Sequence, residues 1–260
     1  MVEKSQKRLL GTLKDLLATG KYSDLTITCG VDTYAVHAMV VCSQSEFLAG
    51  AARFPGIESE TKNVDLSDEE PAIVKLLMQF LYEGDYAPLI SDENLDSEES
   101  EEASSVAPHT CCVYDLWGQM CSRKLCQHHQ CGHNCNRNCR NFVCSTCNPP
   151  PGTQASNLSI HSKLYEIGDR LLVDVLKDLA RAKFANACIH FWEDRAFPTV
   201  ATHAFQSTSE DDKGLWDLVC KTVAEHMELV KDPVIDVLLN TVPGLAVGLL
   251  KEKGEKYRWF

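Results

Sequence analysis

Between Asp92 and Glu102 seven of eleven residues are acidic and none is basic. Such a run holds too little apolar surface to offset the entropy of ordering it, and its like charges repel. A second break, NPPPGTQAS from Asn148 to Ser156, is rich in Pro, Gly and Ser. The two breaks divide the chain into an N-terminal part, residues 1–88, and a C-terminal part that resumes at residue 158. They are read as an acidic linker, 89–110, and a Pro-rich linker, 149–157. The intervening piece is thus two loops flanking a compact, metal-like knot.

Between the linkers lies CSRKLCQHHQCGHNCNRNCRNFVCSTC, Cys121 to Cys147, with seven cysteines and three histidines. Nine of the thirteen cysteines fall between Cys111 and Cys147. The N-terminal stretch MVEKSQKRLLGTLKDLLATG has Lys14 and Asp15 where a secretory signal needs an unbroken apolar run. The expected compartment is the cytoplasm or the nucleus, where thiols stay reduced, and an odd cysteine total suits disulfide pairing poorly. Metal binding is the expected use. Zinc takes four N or S ligands at tetrahedral corners, and a short gap lets one turn present two of them.

Cys144-x-x-Cys147 is the tightest pair, and Cys131, Cys135 and Cys139 follow at looser spacing, with Gly132 easing a turn. Cys121 and Cys126 form another pair, and Cys111 and Cys112 close a site from the N-terminal side. With His133 these ten residues are the candidate ligands, and His128 and His129 lie close by. The inventory suffices for two zinc ions, while the spacing leaves open which residues share a metal. The apolar stock of residues 111–148 is small, so a fold there would rest largely on ligation. A loop of reduced thiols and a redox-sensing cluster are the other readings.

The net charge of −12 argues against non-specific binding to nucleic acid or anionic lipid. No run of about 18 apolar residues suggests a membrane span. Arg123, Lys124, Arg137 and Arg140 against Asp115 give the cysteine segment a local charge of +3. Neither two-Cys, two-His finger spacing nor an aromatic-interleaved basic face accompanies it, so nucleic acid is not an expected partner. Nucleotide-binding glycine loops and the nucleophile elbow of hydrolases do not occur.

The N-terminal part opens with leucines at helical spacing, Leu9, Leu10, Leu13, Leu16 and Leu17, opposite Lys7, Arg8 and Lys14. That helix packs either on its own domain or on a second subunit. DLTITCG and TYAVH alternate apolar and polar residues around a turn at Gly30–Asp32, a hairpin signature. HAMVVCSQSEFLAGAARF reads as helical, with Ser43 capping the helix that carries Phe47 and Leu48. A short strand, NVDL, follows. Ser67 and Glu70 form a capping box ahead of a helix bearing Ile73, Leu77, Phe80 and Leu81 and ending at Gly84. After the break, helical periodicity runs through Leu164, Ile167, Leu171, Leu176 and Phe184. Further helices are expected over Cys188–Phe205, Gly214–Leu229 and Pro233–Leu250, with Ser209–Asp212 as an acidic N-terminus for the second of these.

This order of elements carries specific residues. Ser23-Asp24-Leu25, Val36-His37, the run Ser43 to Phe47 and FLYEGDY (Phe80 to Tyr86) closely resemble a BTB/POZ domain. HSKLYEIGDRLLVDVLKDLARAKF resembles the helix pair that closes that fold, and STSEDDKGLWDLVCKTVAEH resembles the helical tail of short fungal BTB proteins. The resemblance implies an α+β fold, a small sheet with helical hairpins, interrupted by the Cys-rich insertion at 111–148. Closing helices over 158–185 and a helical extension over 186–260 complete it. It also implies a non-enzymatic interaction module that homodimerises, with the Leu9 to Leu17 helix as dimer contact, and that recruits a client protein.

Many members act as substrate adaptors for a cullin-type ubiquitin ligase, through a hydrophobic-x-Glu motif after the third helix. The best match is Gly56-Ile57-Glu58, which assigns Ile57 and Glu58 to partner binding and puts glycine at the apolar anchor. Other members act in transcriptional repression and pair the early Asp with a base after the His. Here Asp24 and His37 are present and Ala38 follows, so capping or core hydrogen bonding is the expected role of both. The alternative function is a nuclear regulator whose zinc-held insertion contacts nucleic acid.

Overall fold

Alternation in DLTITCG builds the first strand, β1 (Leu25–Cys29), which buries Leu25, Ile27 and Cys29 and leaves Thr26 and Thr28 half-buried. It belongs to a computed structural model of the protein that describes residues 2–88, 153–209 and 211–258. A two-residue turn leads to β2 (Asp32–Val36), antiparallel to β1 with Leu25 opposite Val36 and Ile27 opposite Tyr34. Gly30, first of the two linking residues, takes φ +58°, a left-handed conformation that costs glycine nothing. On the other edge β3 (Asn63–Asp65) runs parallel to β1, with Ile27 opposite Val64. A parallel neighbour needs a crossover. Three short helices supply it: α2 (Ala38–Val41), α3 (Glu46–Arg53) and α4 (Ile57–Thr61). The result is a mixed three-stranded sheet in the order β2-β1-β3.

Two expected caps are displaced. Ser45, not Ser43, caps α3: its side chain accepts the Leu48 N–H at 3.1 Å, while Ser43 Oγ donates to the Val40 carbonyl. Both serines suit a helix start, and packing decides between them. Ser45 Oγ also donates to the Leu171 carbonyl at 2.6 Å, a partner from the far end of the chain. Of the two apolar residues that α3 carries, Phe47 is exposed and Leu48 is buried.

The capping box at Ser67 and Glu70 does not form. Ser67 Oγ bonds the Asp65 carboxylate instead, and α5 (Pro71–Glu83) begins at its proline. Proline fits the first helical position because it has no N–H to lose, and it disfavours helical geometry at Glu70 before it. α5 is the central helix, with Ile73, Val74, Leu77, Phe80 and Leu81 all buried. It ends at Gly84, φ +72°. α1 (Val2–Thr19) lies against α5 and β2 through Leu13 and Leu17. Lys14 pairs with Glu83 at 3.2 Å on that surface, a contact worth under about 1 kcal/mol.

The C-terminal part returns as a hairpin of α6 (Ser156–Arg170) and α7 (Asp174–Phe191), with α6 packed on α5. Leu158, Leu164, Ile167, Leu176, Ala180 and Phe184 join the buried set of β1, β2 and α5 in one cluster. The two parts are fastened by polar contacts as well. Tyr86 Oη and His161 Nδ1 are 2.9 Å apart in the interior. Lys183 bonds the Asp85 carboxylate and the Tyr86 carbonyl, its ammonium 4.0 Å from the Tyr86 ring centre. Arg170 reaches Glu69 at 2.8 Å, and Lys163 pairs with Glu70.

Beyond this lie α8 (Ala196–Ser207), α9 (Gly214–Glu225), a 3-10 segment (Met227–Lys231), α10 (Pro233–Thr241) and α11 (Pro243–Tyr257). Asp212 accepts the Gly214 N–H at 3.1 Å at the start of α9, and also the Tyr165 hydroxyl at 2.6 Å. Lys177 pairs with it at 2.7 Å. Burial alone would raise this carboxyl, yet those partners hold it below its ordinary range.

Three expected helices are differently cut. The one expected over Gly214–Leu229 ends at Glu225, and His226 leaves helical geometry before the 3-10 segment. Cys188 belongs to the end of α7, and a turn at 192–195 separates it from α8. The helix expected over Pro233–Leu250 is two, bent by 100° between α10 and α11. Pro243 is the cause, since it lacks the N–H that a continuing helix needs and restricts Val242 before it. α11 comes close to α9 at Gly248, where an added Cβ would sit 2.4 Å from Cys220 Sγ. Among the described residues no single helix is long and apolar enough to cross a membrane.

The Tyr86–His161 contact carries a pH signature. Burial, aided by the charge of Lys183, pushes His161 down to about 4. The unfolded chain takes up that proton near pH 6.5 and the folded chain does not, so the contribution to stability is complete above pH 6.5. It is lost as the pH falls from there toward 4, by about 3 kcal/mol in all. The urea midpoint of the wild type should fall more steeply over this window than that of His161→Gln, which keeps a hydrogen-bonding group and does not titrate. Equal slopes would remove His161 as the cause.

Candidate functional site

The segment between α1 and β1 is held by two side chains of the resemblance motif. Asp24 Oδ1 accepts the Ala38 N–H at 2.7 Å, which supplies the start of α2 with a cap that His37 does not provide. His37 is nearly buried and uses every polar atom it presents. Its backbone N–H donates to Tyr82 Oη at 2.8 Å, its Nδ1 lies 2.8 Å from the same hydroxyl, and its Nε2 lies 2.7 Å from the Lys21 carbonyl. A carbonyl only accepts, so Nε2 carries the hydrogen, and Nδ1 accepts from the tyrosine hydroxyl. Asp24 and His37 thus tie residues 21–24 to α2 and α5. Their role is positioning.

What they position is exposed. Tyr22 sits between those two anchors with φ +64°, a left-handed conformation unfavourable for a residue with a side chain, and 88% of its surface is open. Met39, next to the capped Ala38, is 83% exposed. On α1, Leu9 and Leu10 are exposed, Leu16 is half-buried, and Leu13 and Leu17 are half-buried against the core of their own domain. The structure therefore divides the leucine stripe. Its C-terminal members pack inward, and Leu9 and Leu10 face out. Periodicity did not mark Tyr22 or Met39, because it reports which residues share a face and not which face stays uncovered.

A second corner lies between α3 and α4. Gly56 precedes α4 in an extended conformation, its N–H bonded to Ser59 Oγ at 3.1 Å. Ile57 opens the helix with 77% of its surface exposed, and Glu58 lies in the first turn. Phe54, two residues before Gly56, is 66% exposed with the Arg53 guanidinium 5.5 Å from its ring centre. Gly56 offers no side chain, yet apolar side chains flank it on both sides. Phe54 was missed by spacing, since Pro55, Gly56 and Ile57 separate it from Glu58.

Inside the helical part, Ser162 Oγ lies 2.8 Å from His203 Nδ1, and His203 Nε2 lies 3.0 Å from Glu166 Oε2. The order Ser–His–Glu is that of a hydrolase relay. Ser162, however, is fully buried in the middle of α6, where no substrate reaches it, and the relay fastens α8 to α6. His161 is the buried partner of Tyr86, and His226 stacks on Trp192. Of the scattered cysteines, Cys29, Cys188 and Cys220 are buried and Cys42 is half-buried, all free. Burial pushes the thiols of Cys188 and Cys220 up to about 12, which makes them inert.

Among the described residues no group of His, Cys, Asp or Glu is arranged to hold a metal. The candidate zinc ligands, Cys111, Cys112, Cys121, Cys126, Cys131, His133, Cys135, Cys139, Cys144 and Cys147, lie outside the described residues.

The described surface presents exposed apolar side chains at Leu9, Leu10, Tyr22, Met39, Phe54 and Ile57. Residues 13–103 match the family model of the BTB/POZ domain, so the chain carries a BTB/POZ domain, built on the small mixed sheet and its helices and followed by a helical region. This is a non-enzymatic domain for protein–protein interaction, and BTB domains mediate self-association and binding to partners. A comparison with curated proteins finds no match to the chain.

Proposed function

We propose that this protein is a BTB-type scaffold of the cytoplasm or nucleus that pairs with a second copy of itself and presents further surfaces to a client. One observation carries the reading: large apolar side chains stand exposed on the N-terminal part, Leu9 and Leu10 on α1 and Tyr22 and Met39 beside the anchors Asp24 and His37. Exposed side chains of this kind favour a contact surface. Strain maintained at an exposed aromatic supports the same conclusion.

A second use is supported at the other corner. Phe54 and Ile57 supply the apolar contact that Gly56 lacks, with Glu58 beside them, and this favours engagement of a cullin scaffold and an adaptor role in ubiquitin transfer. The cysteine-rich insertion is proposed to bind two zinc ions, a reading that rests on ligand number and spacing.

Each part has its own measurement. Sedimentation of the full chain should give a dimer, and Leu9→Asp with Leu10→Asp should shift it to monomer with stability changed by no more than about 0.5 kcal/mol. A dimer that survives the double change would move the interface elsewhere. A cullin scaffold retained on the immobilised wild type should be held about tenfold less well by Phe54→Ala/Ile57→Ala and by Glu58→Ala. No retention by the wild type would discard the adaptor role and leave self-association standing. Protein purified under reducing, chelator-free conditions should carry two zinc ions per chain by elemental analysis, and a metal-free preparation would discard the zinc reading.

A further inference from the structure

At the C-terminal end of α7 a third surface combines apolar side chains with three carboxylates, of which Glu225 also lines a pocket with Lys253 and Lys256. The Trp192 indole, just past the last residue of α7, stacks on the His226 imidazole, ring centres 3.7 Å apart and planes 12° from parallel. The stack joins the end of α7 to the start of the 3-10 segment. Ile189 lies one turn before Trp192 on the same helical face, and Met227 adjoins His226. Both are exposed, and the two stacked rings are half-buried.

Glu193, Glu225 and Glu228 surround this patch, exposed themselves, and their charges act on His226. Burial outweighs them and keeps the imidazole below its ordinary range, so at neutral pH the ring adds no positive charge to offset the carboxylates. An apolar floor of rings, thioether and aliphatic carbon thus carries an acidic rim.

We propose that this patch docks a basic protein segment, one apolar side chain seated on Trp192, His226, Ile189 and Met227, with lysine or arginine on either side meeting Glu193, Glu225 and Glu228. The rim selects the class of partner. It repels phosphate, so neither nucleic acid nor an anionic membrane fits. A second copy of this chain, net charge −12, would bring acidic rim against acidic rim. A thioether and an indole form an adaptable floor that accepts apolar side chains of different shape. None of the residues at the α1 corner takes part, so this docking face stands or falls apart from self-association.

The test uses the full chain and a fluorescein-labelled peptide built of leucine and lysine, with a leucine–glutamate peptide of the same length as counterpart. Fluorescence anisotropy should show the lysine peptide binding, weakened by added salt, and no binding of the glutamate peptide. Met227→Ser and, separately, Glu225→Gln/Glu228→Gln should each weaken binding about tenfold, and the charge variant should lose most of the salt dependence. Both variants change exposed side chains, and their unfolding midpoints are measured alongside. Unchanged affinity in both variants, or equal binding of the two peptides, would overturn the proposal. So would a change in oligomeric state on Met227→Ser, which would make the face a contact between copies.

Discussion

Everything in this fold depends on α5 meeting α6, since the two helices are remote in sequence. Strand, α5 and α6–α7 residues share one buried cluster, in which α5 packs against α1 and α2 on the N-terminal side and against α6 on the other. The apolar area supplies most of the free energy, while the polar fasteners fix the register of the two halves. Tyr86 and His161 satisfy each other in the interior, Lys183 closes over the Tyr86 ring and binds the adjoining carbonyl, and Ser45 reaches the Leu171 carbonyl. A shift of one helical turn between α5 and α6 would leave buried polar atoms unpaired, which is costly enough to exclude it.

The same economy of partners holds the segment between α1 and β1 in place. Residues 21–24 form no regular structure, yet the Lys21 carbonyl and the Asp24 carboxylate are both engaged by the start of α2, and His37 passes the constraint to Tyr82 on α5. Tyr22 is thereby held in a conformation it would not choose. The cost of that conformation is met by the bonds that His37 and Asp24 make in folding.

Much of this was legible in the residues. Alternation in DLTITCG gave the buried strand, Gly84 the end of α5, and helical periodicity the hairpin that closes the core. The failures share a cause. Ser43 and Ser45 are equally good caps locally, and the choice falls to Ser45 because a carbonyl 126 residues away needs a donor. Ser67-x-x-Glu70 has capping-box chemistry, but Pro71 fixes where the helix starts, as Pro243 decides where α10 stops. In the candidate sites, Asp24 and His37 were visible as residues and their partners were not. Tyr22, Met39 and Phe54 escaped notice because exposure is a property of what fails to pack against a residue, and no periodicity records that.

The polar fasteners also decide where the end of the first part lies. Tyr86 meets His161 on α6, and Lys183 on α7 bonds the Asp85 carboxylate and the Tyr86 carbonyl. Burying the Tyr86 hydroxyl or the His161 ring without its partner would cost about 1–3 kcal/mol. Apolar packing alone would accept several positions for residues 84–86, and these three bonds accept one. Specificity in this part of the core therefore comes from few polar atoms, while its cohesion comes from many apolar ones.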